Sequence, residues 1–280
     1  NDPRYSKEIA ALSKRISKLE KEIYSELTNW QRLQISRHLD RPHTLDYINN
    51  LFSDFTEFHG DRKFKDDPAI VAGFAAFEGM GLAVLGHQKG KNVREMAFRN
   101  FGMAHPDGYR KAMRIMEMAN RWGKPIVTFI DTPGAFPGIG AEERGQAEAI
   151  ASSIEFMFSL SVPIITIVIG EGGSGGALAI GVGNKILMME NATYSVISPE
   201  GCAAILWRDG SKGPLAADAL KPTSYELHKL KVIDEVIKEP FGGAHRNWKQ
   251  TFLNLKEPFS KCLKELMNFS GDELIQQRYD

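Results

Sequence analysis

Residues 162–178 read VPIITIVIGEGGSGGAL, an apolar run rich in β-branched residues followed directly by a glycine-rich stretch. The apolar half predicts a short buried strand. Five of the seven residues from Gly170 to Gly176 are glycine, which adds no side chain to a core and costs backbone entropy. The stretch therefore predicts a tight turn that points main-chain N–H groups outward, beside the N-terminus of a helix beginning near Ala177.

The preceding segment repeats this pattern. Residues 125–130 (PIVTFI) predict a second buried strand, residues 131–140 (DTPGAFPGIG) form a second glycine-containing turn, and a helix is predicted from Ala141 to Leu160. Further upstream, residues 69–86 predict a hairpin of two strands around the turn at Glu78–Gly81. Strands that alternate with helices predict an α/β protein whose sheet is largely parallel.

Helical patterns flank this α/β core. Near the N-terminus, apolar residues recur at steps of three and four, at Ile9, Leu12, Ile16, Leu19, Ile23 and Leu27. This stripe packs either on its own domain or on another chain. Residues 248–279 predict C-terminal helices interrupted at Pro258 and Gly271. We therefore divide the chain into an N-terminal helical extension (1–43), a core (44–256) and a C-terminal helical tail (257–280).

Composition excludes several classes of protein. The 280 residues carry 35 basic and 35 acidic side chains, so nothing favours nucleic acid or an anionic membrane. No apolar run approaches the roughly 20 residues of a membrane span. Two cysteines, with seven scattered histidines, predict neither a disulfide framework nor a metal site. Without an apolar signal segment at the start, we expect a cytoplasmic protein.

The glycine stretch is open to three functional interpretations. Gly170, Gly172 and Gly175 match the dinucleotide fingerprint, with Glu190 spaced to bind a ribose hydroxyl, although Gly181 and Gly183 interrupt the helix that this fold requires. The second interpretation takes Ser174 as the nucleophile of a G-x-S-x-G elbow. The remaining triad members would then be Asp209, Asp218 or Asp234 and either His228 or His245.

The third interpretation needs no side-chain nucleophile. The turn presents backbone amides to an oxygen that becomes negative during the reaction. Substitution of Ser174 by alanine separates these possibilities, because a hydrolase loses its turnover and an amide-based site keeps most of it. A structural role, in which glycine allows close strand–helix contact, also remains open.

Several long motifs together resemble one family. They are GEGGSGGAL (170–178), DTPGAFPG (131–138), EERGQ (142–146), YSVISPEGC (194–202) and GGAHR (242–246), and RPHTLDY (41–47) extends the likeness towards the N-terminus. In this order they are similar to the alpha subunit of bacterial acetyl-coenzyme A carboxylase carboxyltransferase. The resemblance implies a crotonase-like (ClpP/crotonase) α/β superhelix of ββα units with N- and C-terminal helical extensions.

The resemblance also implies an activity and its partners. Carboxybiotin, carried on the biotin carboxyl carrier protein, gives its carboxyl group to acetyl-CoA and yields malonyl-CoA, the first committed step of fatty acid synthesis. The chain is expected to act only with a homologous beta subunit, as an alpha2beta2 assembly. ATP chemistry is left to the biotin carboxylase, and zinc to the beta subunit. A stand-alone crotonase-type hydratase or decarboxylase and a non-catalytic docking subunit remain as alternatives.

Within that mechanism, negative charge develops on two oxygens, the ureido oxygen of biotin and the thioester oxygen of acetyl-CoA. We expect the backbone amides of Gly175 and Gly176 to hold the ureido oxygen, and the beta subunit to hold the thioester oxygen. The expected biotin contacts are Gly172, Gly173, Ala177, Gly134 and Ala135. The basic stretch from His87 to Arg114 either attracts the phosphates of coenzyme A or is an ordinary ion-paired surface.

Overall fold

The structure is a computed structural model that describes residues 5–280. The helices, in chain order, are α1 (Ser6–Ser25), α2 (Asn29–Ser36), α3 (Thr44–Leu51), α4 (Val93–Phe98), α5 (Pro106–Arg121), α6 (Ile139–Glu143), α7 (Gln146–Ser159), α8 (Ser174–Leu178), α9 (Pro199–Trp207), α10 (Gly213–Leu220), α11 (Ser224–Lys229), α12 (Trp248–Leu266) and α13 (Gly271–Tyr279). The strands are β1 (Ser53–Glu57), β2 (Ile70–Phe77), β3 (Met80–His87), β4 (Ile126–Thr132), β5 (Ile164–Gly173), β6 (Lys185–Met189), β7 (Thr193–Ser195) and β8 (Glu235–Ile237).

All eight strands belong to one sheet, in the order β1-β2-β3-β4-β5-β6-β8, with β7 paired to the end of β5. The β1–β2 and β2–β3 pairs are antiparallel, and the named strands from β3 onward pair in parallel. The predicted hairpin and the largely parallel sheet are therefore confirmed. Because β4 and β5 are central and parallel, the two glycine turns that follow them lie at the same edge of the sheet.

The two central strands explain where the core sits. Every residue of β4 is buried, as is β5 from Ile164 to Gly170. Such continuous apolar runs are typical of parallel strands covered on both faces. Helix α5 packs against α7 and β2. The Tyr47 ring of α3 contacts Phe129 of β4 and Phe252 of α12, so these two helices also pack on the sheet.

The helix predicted from Ala141 to Leu160 is divided into α6 and α7. Gly145 separates them and adopts a left-handed conformation, with φ of 79°. The Gln146 side chain at the start of α7 donates hydrogen bonds to the carbonyl oxygens of Ala104 and Phe136, 2.9 Å away in each case. The break therefore anchors the second glycine turn to the body of the protein.

The predicted interruption at Pro258 is wrong, because α12 continues through it from Trp248 to Leu266. An internal proline costs a helix roughly 3 kcal/mol. Burial of Leu255, Phe259 and Leu263 in the core offsets that cost, since each contributes about 1.5–3 kcal/mol when fully buried. The predicted break at Gly271 coincides with the start of α13. The division of the chain at residues 43 and 256 stays a prediction.

The N-terminal segment is joined to the core by a buried ion pair. Arg41 Nη2 lies 2.7 Å from Glu239 Oε1, and both side chains are buried. In contrast, the apolar stripe of α1 is largely exposed, with Ile9 at 59% and Leu19 at 46%. Packing of this stripe on its own domain, one of the two expectations, is therefore wrong for the described residues.

Among the helices of residues 5–280, none is both long enough and sufficiently apolar to cross a membrane.

Candidate active site at the ends of β4 and β5

The glycine-rich stretch divides between a strand and a helix. Gly172 and Gly173 end β5, where they pair with Tyr194 and Ser195 of β7, and α8 begins at Ser174. Ser174 is exposed and left-handed, with φ of 54°, a conformation that L-residues adopt at a cost. The chain therefore turns abruptly from strand to helix at this residue, as the glycine content predicts.

The first turn of α8 carries the expected amide donors. The residue that caps it, Gly173, has no side chain and makes no side-chain capping bond. The first amides of a helix have no intrahelical acceptor. Gly175 is half-buried, whereas Gly176 and Ala177 are buried. Of the two residues expected to supply donors, Gly175 is thus the less buried.

The second glycine turn lies directly against the first. A Cβ atom placed on Gly173 would stand 2.1 Å from the carbonyl oxygen of Pro133, and one on Gly176 would stand 2.4 Å from Gly134 C and Ala135 N. These neighbours are backbone atoms, which have little freedom to move aside. Glycine is required here for close approach, and the structure brings together all the turn residues that the sequence analysis selected.

The second turn is braced by a threonine. The Gly134 N–H donates to Thr132 Oγ1 at 3.1 Å, and the same hydroxyl donates to the Gly134 carbonyl oxygen at 2.7 Å. Gly134 itself has φ of 157°. Its amide is already bonded within the turn, so Gly134 shapes the wall of the site and is not a second oxyanion donor.

A buried histidine is hydrogen-bonded to the backbone of α8. His87 Nε2 lies 3.1 Å from the carbonyl oxygen of Gly176, and His87 has no exposed surface. Burial lowers the pKa of His87 to about 4, even though the nearby Asp131 carboxylate acts in the opposite direction. The ring is therefore neutral at physiological pH. From the sequence alone, His87 is distinguished only as the first residue of the basic stretch.

A buried ionic network lies beside the two turns. The Lys89 ammonium is 2.9 Å from Asp131 Oδ1 at the end of β4 and 2.9 Å from Glu171 Oε2 in β5. Arg37 Nε lies 2.6 Å from Glu171 Oε1, and His43 Nδ1 lies 3.0 Å from Asp131 Oδ2. The network was not foreseen, because its members are far apart in the sequence.

The charges of this network stabilise one another. Burial by itself would raise the pKa of Asp131, but Lys89 and the hydrogen bond from His43 outweigh it and hold that pKa far below its usual range. Likewise, burial would lower the pKa of Lys89, but Asp131 and Glu171 raise it. Both groups are charged at neutral pH, which suits a fixed scaffold and not a proton shuttle.

Asp131 also connects the network to the glycine stretch. The backbone N–H of Glu171 donates to Asp131 Oδ1 at 3.1 Å. A Cβ on Gly170 would stand 2.3 Å from the same oxygen. The carboxylate therefore sets the path of β5 immediately before the turn.

An apolar cavity of ≈ 260 Å³ opens beside the start of α8. Its lining includes Ser174 and Leu178 of α8, together with Tyr194 and Val196 from β7 and the residue after it. A mostly apolar cavity of this kind suits an apolar ligand group.

The structure does not assemble the residues that a catalytic triad or a dinucleotide site would need. Among residues 5–280, no hydrogen bond joins the Ser174 side chain to a histidine, so the triad of a hydrolase is not assembled. For dinucleotide binding, α8 has only five residues, and Glu190 is bonded to Tyr225 and Lys238 instead of facing the glycine turn. The amide-based interpretation is the one that the geometry supports.

The basic stretch is extensively ion-paired. Lys111 Nζ lies 2.6 Å from Asp66, Arg110 Nη2 lies 3.1 Å from Glu148, and Lys91 Nζ lies 2.6 Å from Asp46. Lys89 belongs to the network described above. This pattern favours the structural interpretation of the stretch over phosphate attraction.

Within the part of the chain that the structure describes, no three His, Cys, Asp or Glu side chains are grouped as a metal ion would require.

Comparison with known proteins identifies the family. The family described as acetyl co-enzyme A carboxylase carboxyltransferase-like matches residues 1–280. The acetyl-coenzyme A carboxylase carboxyl transferase subunit alpha of Syntrophotalea carbinolica is 58% identical over 276 residues, 98% of this chain and 87% of that protein. The Thermus thermophilus protein of the same name is 56% identical over 272 residues, covering 97% and 86%.

Solved structures share the fold at low identity. A crystal structure of transcarboxylase 12S superposes with a TM-score of 0.67 at 18% identity, over 83% of this chain and 42% of that one. A Pseudomonas malonate decarboxylase hetero-dimer gives a TM-score of 0.61 at 14% identity, over 73% and 84%. The expected crotonase-like α/β fold is thereby confirmed. The chain belongs to the family of acetyl-coenzyme A carboxylase carboxyl transferase alpha subunits.

Proposed function

We propose that this chain is the alpha half of a carboxyltransferase that moves a carboxyl group from carboxybiotin to acetyl-CoA and so forms malonyl-CoA. The family membership supports the reaction class. The observation that carries the site is the direct contact between the two glycine turns, where Gly173 and Gly176 leave no space for a Cβ against residues 133–135. The contact fixes the start of α8, and two residues of that helix, Ser174 and Leu178, line an apolar cavity.

The site fits a biotin ring by shape and by donor chemistry. Carboxybiotin would release its carboxyl group as CO2, which would leave negative charge on the ureido oxygen. The biotin nitrogen would then take the methyl proton of acetyl-CoA, and the resulting enolate carbon would bond to the CO2. The Gly175 N–H, with Gly176 beside it, donates to the ureido oxygen, and the positive end of α8 adds to the stabilisation. Gly172 and Gly173 shape the turn, and Ala177, Gly134 and Ala135 form the nearby wall.

The ionic network has a supporting role in this proposal. Asp131 and Glu171 stay charged and bonded, so neither removes the methyl proton of acetyl-CoA. The Lys89 bridge between the ends of β4 and β5 keeps the two turns at a fixed separation. Fixed donors that need no reorganisation are what electrostatic stabilisation of an oxyanion requires.

An alpha subunit implies a beta subunit as its partner. Exposed apolar side chains near the site offer a surface for it: Val196 follows β7, and Ile205 and Leu206 project from α9. Exposed groups of this kind commonly mark protein interfaces. We propose that the beta subunit covers this surface and supplies the donors for the thioester oxygen.

The wider assembly is part of the same proposal. It comprises an alpha2beta2 arrangement, delivery of carboxybiotin by the biotin carboxyl carrier protein, and ATP-dependent carboxylation by the biotin carboxylase. The core at residues 44–256 then carries the chemistry, with 1–43 and 257–280 as attachments. The expected cytoplasmic location stays a prediction.

A reconstitution assay tests the proposed function. The purified chain, its beta subunit and an equimolar mixture are each supplied with acetyl-CoA and the carboxylated carrier protein, and malonyl-CoA is measured. We expect product from the mixture alone. Turnover by the isolated chain would indicate a stand-alone acyl-CoA enzyme, and no turnover from a mixture that forms a stable complex would indicate a docking subunit.

A further inference from the structure

Arg37, the residue that follows α2, connects two parts of the molecule through its guanidinium. Its Nε lies 2.6 Å from Glu171 Oε1 in β5, and its Nη1 lies 2.5 Å from Glu200 Oε1 in α9. Its Nη2 lies 3.3 Å from Glu200 Oε2, so the contact with Glu200 is bidentate. The planar fork of an arginine fixes the angle as well as the distance between the groups that it binds.

Glu171 is the residue through which this contact reaches the glycine stretch. It lies between Gly170 and Gly172, two residues before the end of β5. Both of its carboxylate oxygens are bonded, Oε1 to Arg37 and Oε2 to Lys89. Burial alone would raise the pKa of Glu171, but Lys89 and Arg37 outweigh it and lower that pKa. The carboxylate is therefore charged at neutral pH and is held on both oxygens, directly before the turn.

Glu200 lies in the first turn of α9 and is the second end of the contact. Burial would raise the pKa of Glu200, but the hydrogen bond from Arg37 outweighs it and lowers that pKa. Further along the same helix, Ile205 and Leu206 are exposed and belong to the surface proposed for the beta subunit. Arg37 thus joins the helix that faces the proposed partner to the strand that leads into the glycine turn.

The same arginine lines a crevice where the two glycine turns and the start of α9 meet. Its other lining residues include Pro133 of one turn, Gly173 of the other and Pro199 of α9. The crevice has a volume of ≈ 20 Å³, which holds no more than about one water molecule. These parts are therefore packed on one another, and the geometry suits an arginine that fixes their positions and not one that binds a substrate.

Helix α2 gives the arginine a fixed base. The Thr28 side chain caps the start of the helix in a capping box. Further along, Arg32 Nη1 lies 2.8 Å from Asn191 Oδ1, and Ser36 Oγ lies 3.3 Å from Thr193 Oγ1 in β7. Because α2 is bonded to the body of the protein along its length, the residue that follows it has a defined position.

We propose that Arg37 is a positioning residue for the carboxyl transfer and that it sets the position of the glycine turn relative to α9. It acts through Glu171 and not by contact with the reacting atoms. The inference rests on the proposed function, because it takes the glycine turn as the site of the ureido oxygen. Misplacement of a catalytic group by about 1 Å can cost 10²-fold in rate. Loss of the guanidinium should therefore lower kcat without removing a group that binds acetyl-CoA.

Substitution of Arg37 tests the proposal in the complex with the beta subunit. The test variant is Arg37→Gln, and Lys185→Gln is the matched control. Lys185 also bridges two carboxylates, those of Asp234 and Glu265, and its side chain is 29% exposed against 27% for Arg37. It lies at the start of β6, at the opposite edge of the sheet from the glycine turns. We expect kcat for malonyl-CoA formation to fall about tenfold in Arg37→Gln and to stay within about twofold in the control, with KM for acetyl-CoA unchanged in both. Equal kcat values in the two variants overturn the proposal.

A second substitution, Glu200→Gln, tests the connection to α9 and leaves the contact of Arg37 with Glu171 in place. We expect kcat to fall about threefold, and to fall no further when this change is added to Arg37→Gln, because both substitutions break the same path. The Glu200 side chain is 38% exposed, so this variant decides the proposal even if Arg37→Gln does not fold. Losses that multiply in the double variant, or a Glu200→Gln enzyme as active as the wild type, overturn the proposal. A wild-type mixture that forms no malonyl-CoA would instead contradict the proposed function, and this inference with it.

Discussion

His87 Nε2 and the carbonyl oxygen of Gly176 form a buried hydrogen bond of 3.1 Å. A carbonyl oxygen only accepts, so Nε2 carries the proton. The Ile180 N–H, which would be the helical partner of this oxygen, bonds to the Ala177 carbonyl instead. The histidine thus takes the place of a backbone donor and ties the end of β3 to the helix that starts in the glycine turn.

Loss of this bond should disturb the turn. His87→Leu leaves the buried Gly176 carbonyl without a donor. We expect kcat for malonyl-CoA formation by the reconstituted enzyme to fall roughly fivefold, since such a bond is worth about 1 kcal/mol. His87→Gln keeps an N–H donor and should recover most of the activity, with KM for acetyl-CoA little changed in both. An equal fall in kcat in the two variants would mean that the size of the side chain at position 87 matters and its hydrogen bond does not.

The same histidine predicts a pH dependence of stability. Its pKa is about 4 in the folded chain against 6.5 ordinarily. Between these values the unfolded chain binds a proton that the folded chain excludes, so this contribution to stability is present above pH 6.5 and is lost as the pH falls towards 4. Glutamine does not titrate. The free energy of unfolding of the wild type minus that of His87→Gln should therefore decrease as the pH falls from 6.5 to 4. A difference that stays constant over this pH range would contradict the lowered pKa of His87.

Contact between the two glycine turns should appear as a stability effect. Gly173→Ala introduces a Cβ 2.1 Å from the Pro133 carbonyl oxygen, so backbone must shift, and a loss of about 1–3 kcal/mol is expected. Gly81→Ala is the matched control, because nothing lies within 4 Å of its Cβ. Denaturant unfolding measures both. Equal stability of the two variants would show that the turns are not packed together as described.

Ser174 distinguishes an amide-based site from a hydroxyl nucleophile. Ser174→Ala should keep most of the carboxyl transfer. Ser174→Gly should also keep it and gain about 1 kcal/mol of stability, since φ of 54° disfavours a side chain. The readouts are malonyl-CoA formation and thermal unfolding. Abolished transfer in both variants, with the fold intact, would make the hydroxyl part of the chemistry.

Local patterns predicted the elements that build the site. The apolar runs at 125–130 and 162–169 fall in β4 and β5, and the glycines after them form the turns, because strand burial and turn chemistry are encoded within a few residues. Since parallel neighbours end at one sheet edge, the strand assignment places both turns at that edge, whereas their direct contact is seen only in the structure. The break at Gly145 and the continuity at Pro258 depended on tertiary packing, which local sequence does not contain.

Long-range charge pairing was the main feature that sequence reasoning missed. Lys89, Asp131 and Glu171 are separated by 40 residues or more, and each alone resembles an ordinary surface charge. A signal was nevertheless present, because Asp131 and Glu171 both lie just beyond the apolar runs of two adjacent parallel strands, at the carboxyl ends of β4 and β5. Burying two carboxylates there is costly unless a cation is paired with them.

The proposed function depends on one backbone amide, the Gly175 N–H, stabilising the ureido oxygen. Two double variants isolate the Gly175 N–H: Ser174→Gly/Gly175→Ala keeps it, and Ser174→Gly/Gly175→Pro removes it. A Cβ at position 175 would lie 3.5 Å from Ile150, which is an ordinary contact. Glycine at position 174 has no Cβ, so it reduces the steric clash that a proline causes with the residue before it.

The decisive measurement is kcat of these two variants, each reconstituted with the beta subunit and matched for thermal stability. We predict that the alanine variant stays within a few-fold of the wild type and that the proline variant falls by about 10²-fold or more. Equal kcat values for the two would contradict the account.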